Sequence, residues 1–144
     1  MLAALIAVLG TLAGVAITSA FQARAARTAR QETRRTEVVA AVEVLAAAIA
    51  DHRLAMWVRE DLRLRGEDWT QARTESHTTR SAITAPLVRV QILLPDTASA
   101  AQAAAQAAYD LRNADNTTTL AAARDKAIRA ADEFVTTSGK ALAA

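Results

Sequence analysis

The sequence predicts an all-α protein in which an N-terminal transmembrane helix continues into an antiparallel helical hairpin and a four-helix bundle. The chain of 144 residues is rich in alanine, which has the highest helix propensity, and contains only four glycines and two prolines. Residues 1–21 carry no charged side chain, and apolar residues beyond them recur at spacings of three and four. Cysteine is absent, which excludes disulfide bonds, cysteine-ligated metals and a cysteine nucleophile.

The uncharged segment 1–21 is long enough to cross a membrane, because a helix of this length spans roughly 31 Å. Within it, Gly10 and Gly14 form a GxxxG pattern, which favours close packing of two membrane helices and predicts self-association. A second interpretation is a cleaved secretory leader, with Thr18, Ser19 and Ala20 before the cleavage site. No basic residue precedes the apolar run, so an uncleaved anchor is the favoured interpretation.

A basic segment, residues 22–37, follows the predicted anchor. It has a net charge of +3, since two glutamates oppose five arginines, which are Arg24, Arg27, Arg30, Arg34 and Arg35. Positive charge after an apolar segment favours cytoplasmic retention and contact with anionic lipid headgroups. We therefore expect a single-pass protein of the plasma (inner) membrane with a cytoplasmic C-terminal domain. Nucleic acid is not expected as a partner, because no aromatic side chain lies between these arginines and residues 38–144 hold 12 basic and 13 acidic side chains.

The first hairpin of the bundle is predicted from two amphipathic segments. One helix covers about 38–65 and ends at Gly66, which can adopt the left-handed conformation. A second helix covers about 70–94, and Pro86 is expected to kink or divide it. The stripe expected to be buried on the first helix consists of Val38, Val42, Leu45, Ile49, His52 and Met56.

Two further helices are predicted over about 97–114 and 118–137. Pro95 stops the second helix, and Asp96 is expected to cap the third, which is nearly all alanine. The apolar face of the fourth helix consists of Leu120, Ala127, Ile128, Ala131, Phe134 and Val135. Residues 138–144 are expected to form a frayed tail. A core of such small side chains predicts modest stability and therefore oligomerisation.

A polar hairpin cluster interrupts the apolar stripes near the turn between the first two helices. It consists of His52, Arg59, Ser76 and Arg80, which antiparallel folding brings to the same end of the hairpin. One interpretation is a site that binds an anionic or polar ligand or responds to pH through histidine. The other is a salt-bridged hairpin end that specifies register, which is the commoner role of such networks.

No catalytic, cofactor or metal site is predicted. His52 and His77 lack the spacing of a helical zinc pair, and the chain has neither an HExxH motif nor a GxSxG motif. A Gly-rich phosphate loop is also missing from a sequence that holds so few glycines. The sequence therefore predicts a protein that is not an enzyme.

Three stretches resemble a known group of proteins. They are MLAALIAVLGTLAG (1–14), AAAIADHRLAMWVREDLRLRG (46–66) and ESHTTRSAITAPLVRVQILL (75–94). In these stretches the chain resembles the KilB-like small membrane proteins of actinobacterial (Streptomyces-type) conjugative plasmids and integrated mobile elements. The likeness covers most of residues 1–94 and is weaker in the alanine-rich remainder. It implies a membrane-associated accessory to plasmid transfer or spread that is toxic when unregulated, and it carries no catalytic residues over to this chain.

The expected function is accordingly a non-enzymatic, membrane-anchored helical accessory of plasmid or mobile-element transfer. Its expected partners are the lipid bilayer and either a second copy of the chain or another membrane protein. Two alternatives stay open. One is an exported helical binding protein whose leader is removed, and the other is a small membrane-permeabilising toxin.

Overall fold

The computed structural model describes the backbone of residues 2–143 and the side chains of residues 21–143. This part of the chain is helical and contains no strand. Its elements are α1 (Leu2–Arg65), α2 (Thr70–Leu93), a 3-10 turn (Pro95–Thr97), α3 (Ala98–Tyr109) and α4 (Thr117–Ala143). The chain divides into two compact units, residues 1–37 and 38–144.

The described side chains of the first unit, residues 21–37, are all exposed. The five arginines of the basic segment are among them. The hydroxyl groups of Thr28, Thr33 and Thr36 donate to the carbonyl oxygens four residues earlier, so each of these side chains has a hydrogen-bond partner within its own helix. Over residues 21–143, no helix combines the length and the apolar character needed to cross a bilayer. The predicted anchor, apart from Phe21, lies outside the side chains that are described, as does the predicted packing role of Gly10 and Gly14.

The core of the second unit forms where the stripes of α1 and α2 meet α3 and α4. Leu45 and Ile49 of α1 and Ile83 and Val90 of α2 are fully buried. Phe134 of α4 fills the same cluster. A second cluster lies closer to the hairpin turn and contains Met56, Ala107, Leu111, Leu120 and Ala127. The expected stripe of α1 is buried at every position except Val42, which is half-buried.

Alanine supplies most of what α3 contributes to this core. The buried residues of α3 are Ala101, Ala104, Ala105, Ala107 and Ala108. A methyl side chain adds little width to a helix, so α3 lies with its backbone close to its neighbours. Small residues thereby allow a dense core with few large side chains.

The turn between α1 and α2 forms where the sequence places it. Gly66 has a φ of +72°, the left-handed region that glycine enters without steric cost. Its N–H donates to the carbonyl of Arg63 at 3.1 Å, and the N–H of Glu67 donates to the carbonyl of Leu62 at 3.0 Å. These bonds satisfy carbonyl groups that the end of a helix leaves free. On the far side of the turn, the Asp68 carboxylate accepts the N–H of Thr70 at 2.9 Å.

Helix ends elsewhere differ from the prediction. Pro86 does not divide α2, which runs unbroken from Thr70 to Leu93. Asp96 does not cap α3, because a 3-10 turn intervenes and makes Thr97 the N-cap residue. The side chain of Thr97 donates instead to the carbonyl of Leu94 at 3.0 Å. The third helix is also shorter than predicted and ends at Tyr109 rather than near 114.

The structure corrects two expectations for α4. Residues 138–143, predicted to be a frayed tail, continue the helix, because Ser138 is buried and its hydroxyl donates to the carbonyl of Phe134 at 2.8 Å. Val135 is 49% exposed although it was assigned to the apolar face. It follows Phe134 by one position, which rotates it about 100° around the helix and away from the core. At the start of α4, Asn116 and Thr119 bond reciprocally, each side chain accepting the other's N–H.

Candidate functional site

His52, the innermost member of the polar hairpin cluster, is 1% exposed. Its Nδ1 lies 3.0 Å from the hydroxyl oxygen of Thr79 on α2. Its ring meets the ring of Tyr109 edge to face, with the centroids 5.3 Å apart and the planes at 70°. Its Nε2 is buried and, within the described part of the chain, has no hydrogen-bond partner.

The pKa of His52 falls to about 4, well below its usual value of 6.5. Burial is the largest cause, because it removes water from the charged form. The positive charges of Arg80 and then Arg59 lower the pKa further. His52 is therefore neutral at physiological pH and cannot act there as a cation that binds an anion.

Arg59 and Ser76, which the sequence places opposite each other, do meet. Nη1 of Arg59 lies 3.5 Å from Oγ of Ser76 and 3.8 Å from Sδ of Met56, so both contacts are long. Ser76 donates its own proton to the carbonyl of Arg73 at 2.7 Å. The Arg59 guanidinium also lies 5.2 Å from the centre of the Trp69 ring, and the residue is 7% exposed. Arg59 is thus a buried cation that stacks on an aromatic ring.

Arg80 is exposed, in contrast to the other three members of the cluster. Its guanidinium lies 4.0 Å from the centre of the Tyr109 ring. Arg80 and His52 therefore meet through the same tyrosine rather than through each other. The predicted cluster consists of two groups, one around Tyr109 and one around Arg59.

Glu60 directly follows Arg59 in the sequence and was not predicted to be part of the cluster. It is fully buried, and its Oε2 accepts from Nε of Arg63 at 2.8 Å and from the N–H of Asn113 at 3.1 Å. Its Oε1 lies 3.6 Å from Nε of Arg59. Arg63 also donates to the carbonyl of Ala114. Glu60 and Arg63 therefore fix the loop between α3 and α4 to the end of α1.

Two other residues of the site were not predicted from the sequence. Tyr109 is the only tyrosine of the chain and lies in an alanine-rich helix, which is the signal that could have marked it. Thr79 lies three residues after Ser76 and so shares the same face of α2. Trp69 was not assigned to the cluster either, and the guanidinium groups of Arg59 and Arg73 both lie against its ring.

The nitrogens of His52 are not open to solvent at this end of the hairpin. The one buried histidine is bonded to a threonine, and its free nitrogen is shielded from solvent. Within the described residues, no group of three histidine, aspartate or glutamate side chains converges in a way that would hold a metal ion. The site is instead rich in guanidinium groups that are positioned by aromatic rings.

Comparison with known proteins places the chain in a family. The family of KilB plasmid transfer proteins matches residues 39–142, which lie within the second unit. Protein KilB of Streptomyces lividans is 56% identical over 143 residues, which cover 97% of each chain. No solved structure is significantly similar. The extent of both matches establishes that this chain belongs to the KilB plasmid transfer protein family.

Proposed function

We propose that this protein is a non-enzymatic accessory of plasmid transfer or spread, held at the plasma membrane by an uncleaved N-terminal helix with the bundle in the cytoplasm. The observation that carries the transfer role is the similarity to Protein KilB over 97% of both chains. A role in transfer follows for this chain by that similarity. The family matches residues 39–142, which supports assigning the function to the helical unit rather than to the N-terminal segment.

The anchor is supported by the sequence of residues 1–21, which lack charge, and by the basic segment that follows. The five arginines of that segment are exposed and so are free to contact anionic headgroups. The GxxxG pattern at Gly10 and Gly14 supports self-association of the anchor with that of a second copy.

The non-enzymatic role is supported by the surroundings of His52. A general base must reach the proton that it abstracts. Nδ1 of His52 is bonded to Thr79, and its Nε2 is buried. The other members of the cluster are Arg59, Ser76 and Arg80, and guanidinium groups bind and orient anions rather than exchange protons.

The transfer role is tested by deleting the coding sequence from a conjugative plasmid and measuring transfer frequency and spread in mating. Loss of spread that is restored by the full chain is the expected result. Unchanged spread in the deletion would refute the role. A chain in which residues 1–21 are replaced by an unrelated single membrane helix is the matched control, and it should restore function if this segment acts only as an anchor.

The anchor and its orientation are tested separately. Reporters at the two termini and membrane fractionation should place the full chain in the membrane fraction with the C-terminus inside the cell. Recovery of the full chain in the soluble fraction would refute the proposal of a membrane anchor. A mature N-terminus at Phe21 with an extracellular C-terminus would support an exported protein instead.

Substitution of Gly10→Ile together with Gly14→Ile should abolish crosslinking between anchors and leave insertion intact, and unchanged crosslinking would rule out the packing role.

A further inference from the structure

Arg59 is a buried cation that its surroundings neutralise only in part. Its closest carboxylate oxygen, Oε1 of Glu60, lies 3.6 Å from Nε, beyond hydrogen-bond distance. Within the described part of the chain, Nε of Arg59 has no hydrogen-bond partner at all. Its other contacts, to Ser76 and Met56, are long. A buried charge normally has a paired counter-charge, so we expect this guanidinium to have an additional anionic partner.

Glu60 cannot supply that partner, because its charge is shared. One of its oxygens already accepts from Arg63 and from the N–H of Asn113. The single carboxylate therefore faces two guanidinium groups, and the centre of the site keeps a positive charge.

Two more arginines add to this positive charge. Arg73 lies 5.7 Å from the centre of the Trp69 ring, against which Arg59 also lies. Arg112 directly precedes Asn113, whose N–H donates to Glu60 at 3.1 Å, so the loop after α3 places Arg112 next to the residue that follows Arg59. The charges of Arg112, Arg73 and Arg63 all lower the pKa of Arg59. Burial is the largest cause of that lowering, and Glu60 opposes it. Both Arg73 and Arg112 are exposed, and among the described side chains neither lies within ion-pair distance of a carboxylate.

The acidic residues near the turn, Asp61, Glu67 and Asp68, have partners other than Arg59, Arg73 and Arg112. Arg65 pairs with Asp61 at 2.7 Å and with Glu67 at 3.1 Å. Asp68 accepts the N–H of Thr70. Arg65 is thus a neutralised arginine within the same turn, and it provides an internal comparison for the arginines that are not neutralised.

We infer that Arg59 and Arg73, which both lie against Trp69, form together with Arg112 a binding site for a phosphate-type oxyanion, either inorganic phosphate or the phosphate group of a small monoester. We call these three residues the tip arginine site. They come from α1, α2 and the loop after α3, so one bound anion links three elements of the bundle. The inference does not depend on the proposed role in plasmid transfer.

The positive charge of the site and its donors from three elements favour a phosphate over a carboxylate. Guanidinium groups bind phosphate oxygens through paired N–H donors, and phosphate offers oxygens in several directions to donors that approach from different elements. A dianion also offsets more of the excess positive charge than a carboxylate does. Trp69 holds two of the guanidinium groups in place before binding, which reduces the entropy lost when the anion arrives.

The test is a titration of the purified full chain with sodium phosphate, in which calorimetry measures binding and thermal unfolding measures stability. Sodium chloride of equal ionic strength is the control. At a hundredfold excess over Kd, phosphate should raise the melting temperature by roughly 5–9 °C, whereas chloride should not. Glycerol 3-phosphate as a second probe separates a monoester from free phosphate as the preferred ligand. Equal melting temperatures in phosphate and in chloride would refute the proposed site.

Matched variants locate the binding. Arg73→Gln and Arg112→Gln change exposed side chains, so both should fold, and each should weaken phosphate binding about tenfold or more. Arg65→Gln removes an arginine that is already paired and should leave the affinity unchanged. An equal loss in Arg65→Gln would show attraction to general positive charge and would refute the site. Binding of a DNA oligonucleotide in the absence of phosphate binding would also refute it and would assign these arginines to nucleic acid.

Discussion

The guanidinium of Arg80 lies 4.0 Å from the centre of the Tyr109 ring and so connects α2 to α3 through a cation–π contact. The same ring packs edge to face against His52 of α1. One aromatic side chain thus joins three helices at the level where their apolar stripes give way to polar residues. Its ring, rather than its hydroxyl, makes both contacts.

Replacing Tyr109 by leucine should lower the free energy of unfolding by about 1–2 kcal/mol, because both aromatic contacts disappear. Replacing it by phenylalanine keeps the ring and should cost less than about 0.5 kcal/mol. Urea unfolding followed by circular dichroism measures both values. A phenylalanine variant as unstable as the leucine variant would show that the hydroxyl carries the stabilisation.

Stability should fall as the solution is acidified, because the pKa of His52 is depressed to about 4 in the folded protein. In the unfolded chain the imidazole takes up a proton near pH 6.5, whereas the folded protein resists it until about pH 4. The contribution of His52 is therefore fully present above pH 6.5 and is lost as the pH falls towards 4. Between pH 7 and pH 5 this loss should reach about 2 kcal/mol.

Variants separate this effect from the titration of carboxylates. His52→Gln should flatten the dependence of the unfolding free energy on pH between 7 and 5. His77→Gln changes an exposed histidine of the same hairpin and should keep the slope of the parent protein. A His52→Gln variant with the parent slope would assign the acid sensitivity to other groups.

The sequence predicts the hairpin better than the loop after α3. The spacing of Leu45, Ile49, His52 and Met56 identifies the buried face of α1, because side-chain direction in a helix follows from position alone. It does not predict the end of α3, where Asn113 takes a φ of +62° and turns its N–H towards Glu60. That conformation depends on a residue 53 positions earlier, which local pattern cannot reveal.

The polar hairpin cluster likewise contains one contact that the sequence predicts and one that it does not. Ser76 and Arg59 meet because antiparallel pairing fixes their register. Arg80 is exposed since its long side chain extends over Tyr109, a residue from the third helix whose rotation relative to the hairpin is not encoded in the first two.

Glu60→Gln should be the most destabilising polar substitution in the bundle. It preserves shape but removes the carboxylate that, among the described side chains, pairs with both Arg59 and Arg63, so both guanidinium groups lose their counter-charge. The expected loss is about 3 kcal/mol in the free energy of unfolding. Asp61→Asn, which changes a more exposed carboxylate one residue away, should cost less than about 1 kcal/mol.

A double-mutant cycle sharpens this prediction. Arg59→Met combined with Glu60→Gln removes the buried cation together with the carboxylate, so the double variant should recover part of the stability that Glu60→Gln loses. Strictly additive losses would show that the two groups do not interact.

The alanine surface of α3 should tolerate no enlargement on its buried side. Ala104 is fully buried, so Ala104→Leu forces α3 away from its neighbours and should cost about 3 kcal/mol or more. Ala103→Leu adds the same atoms on the exposed side of the same helix and should change stability by less than about 0.5 kcal/mol. Equal effects at the two positions would mean that the change acts through helix propensity rather than packing.

The bonds that Glu60 and Arg63 make to residues 113 and 114 have a consequence for biosynthesis. The partners lie 53 and 51 positions apart, so the end of α1 emerges from the ribosome long before the loop that will cover it. Until that loop arrives, the Glu60 carboxylate has Arg63 of its own helix as a partner but lacks the N–H of Asn113, so we expect it to stay partly hydrated. We therefore expect the turn end of the first hairpin to close late, when the loop between α3 and α4 docks and the carboxylate loses its remaining water.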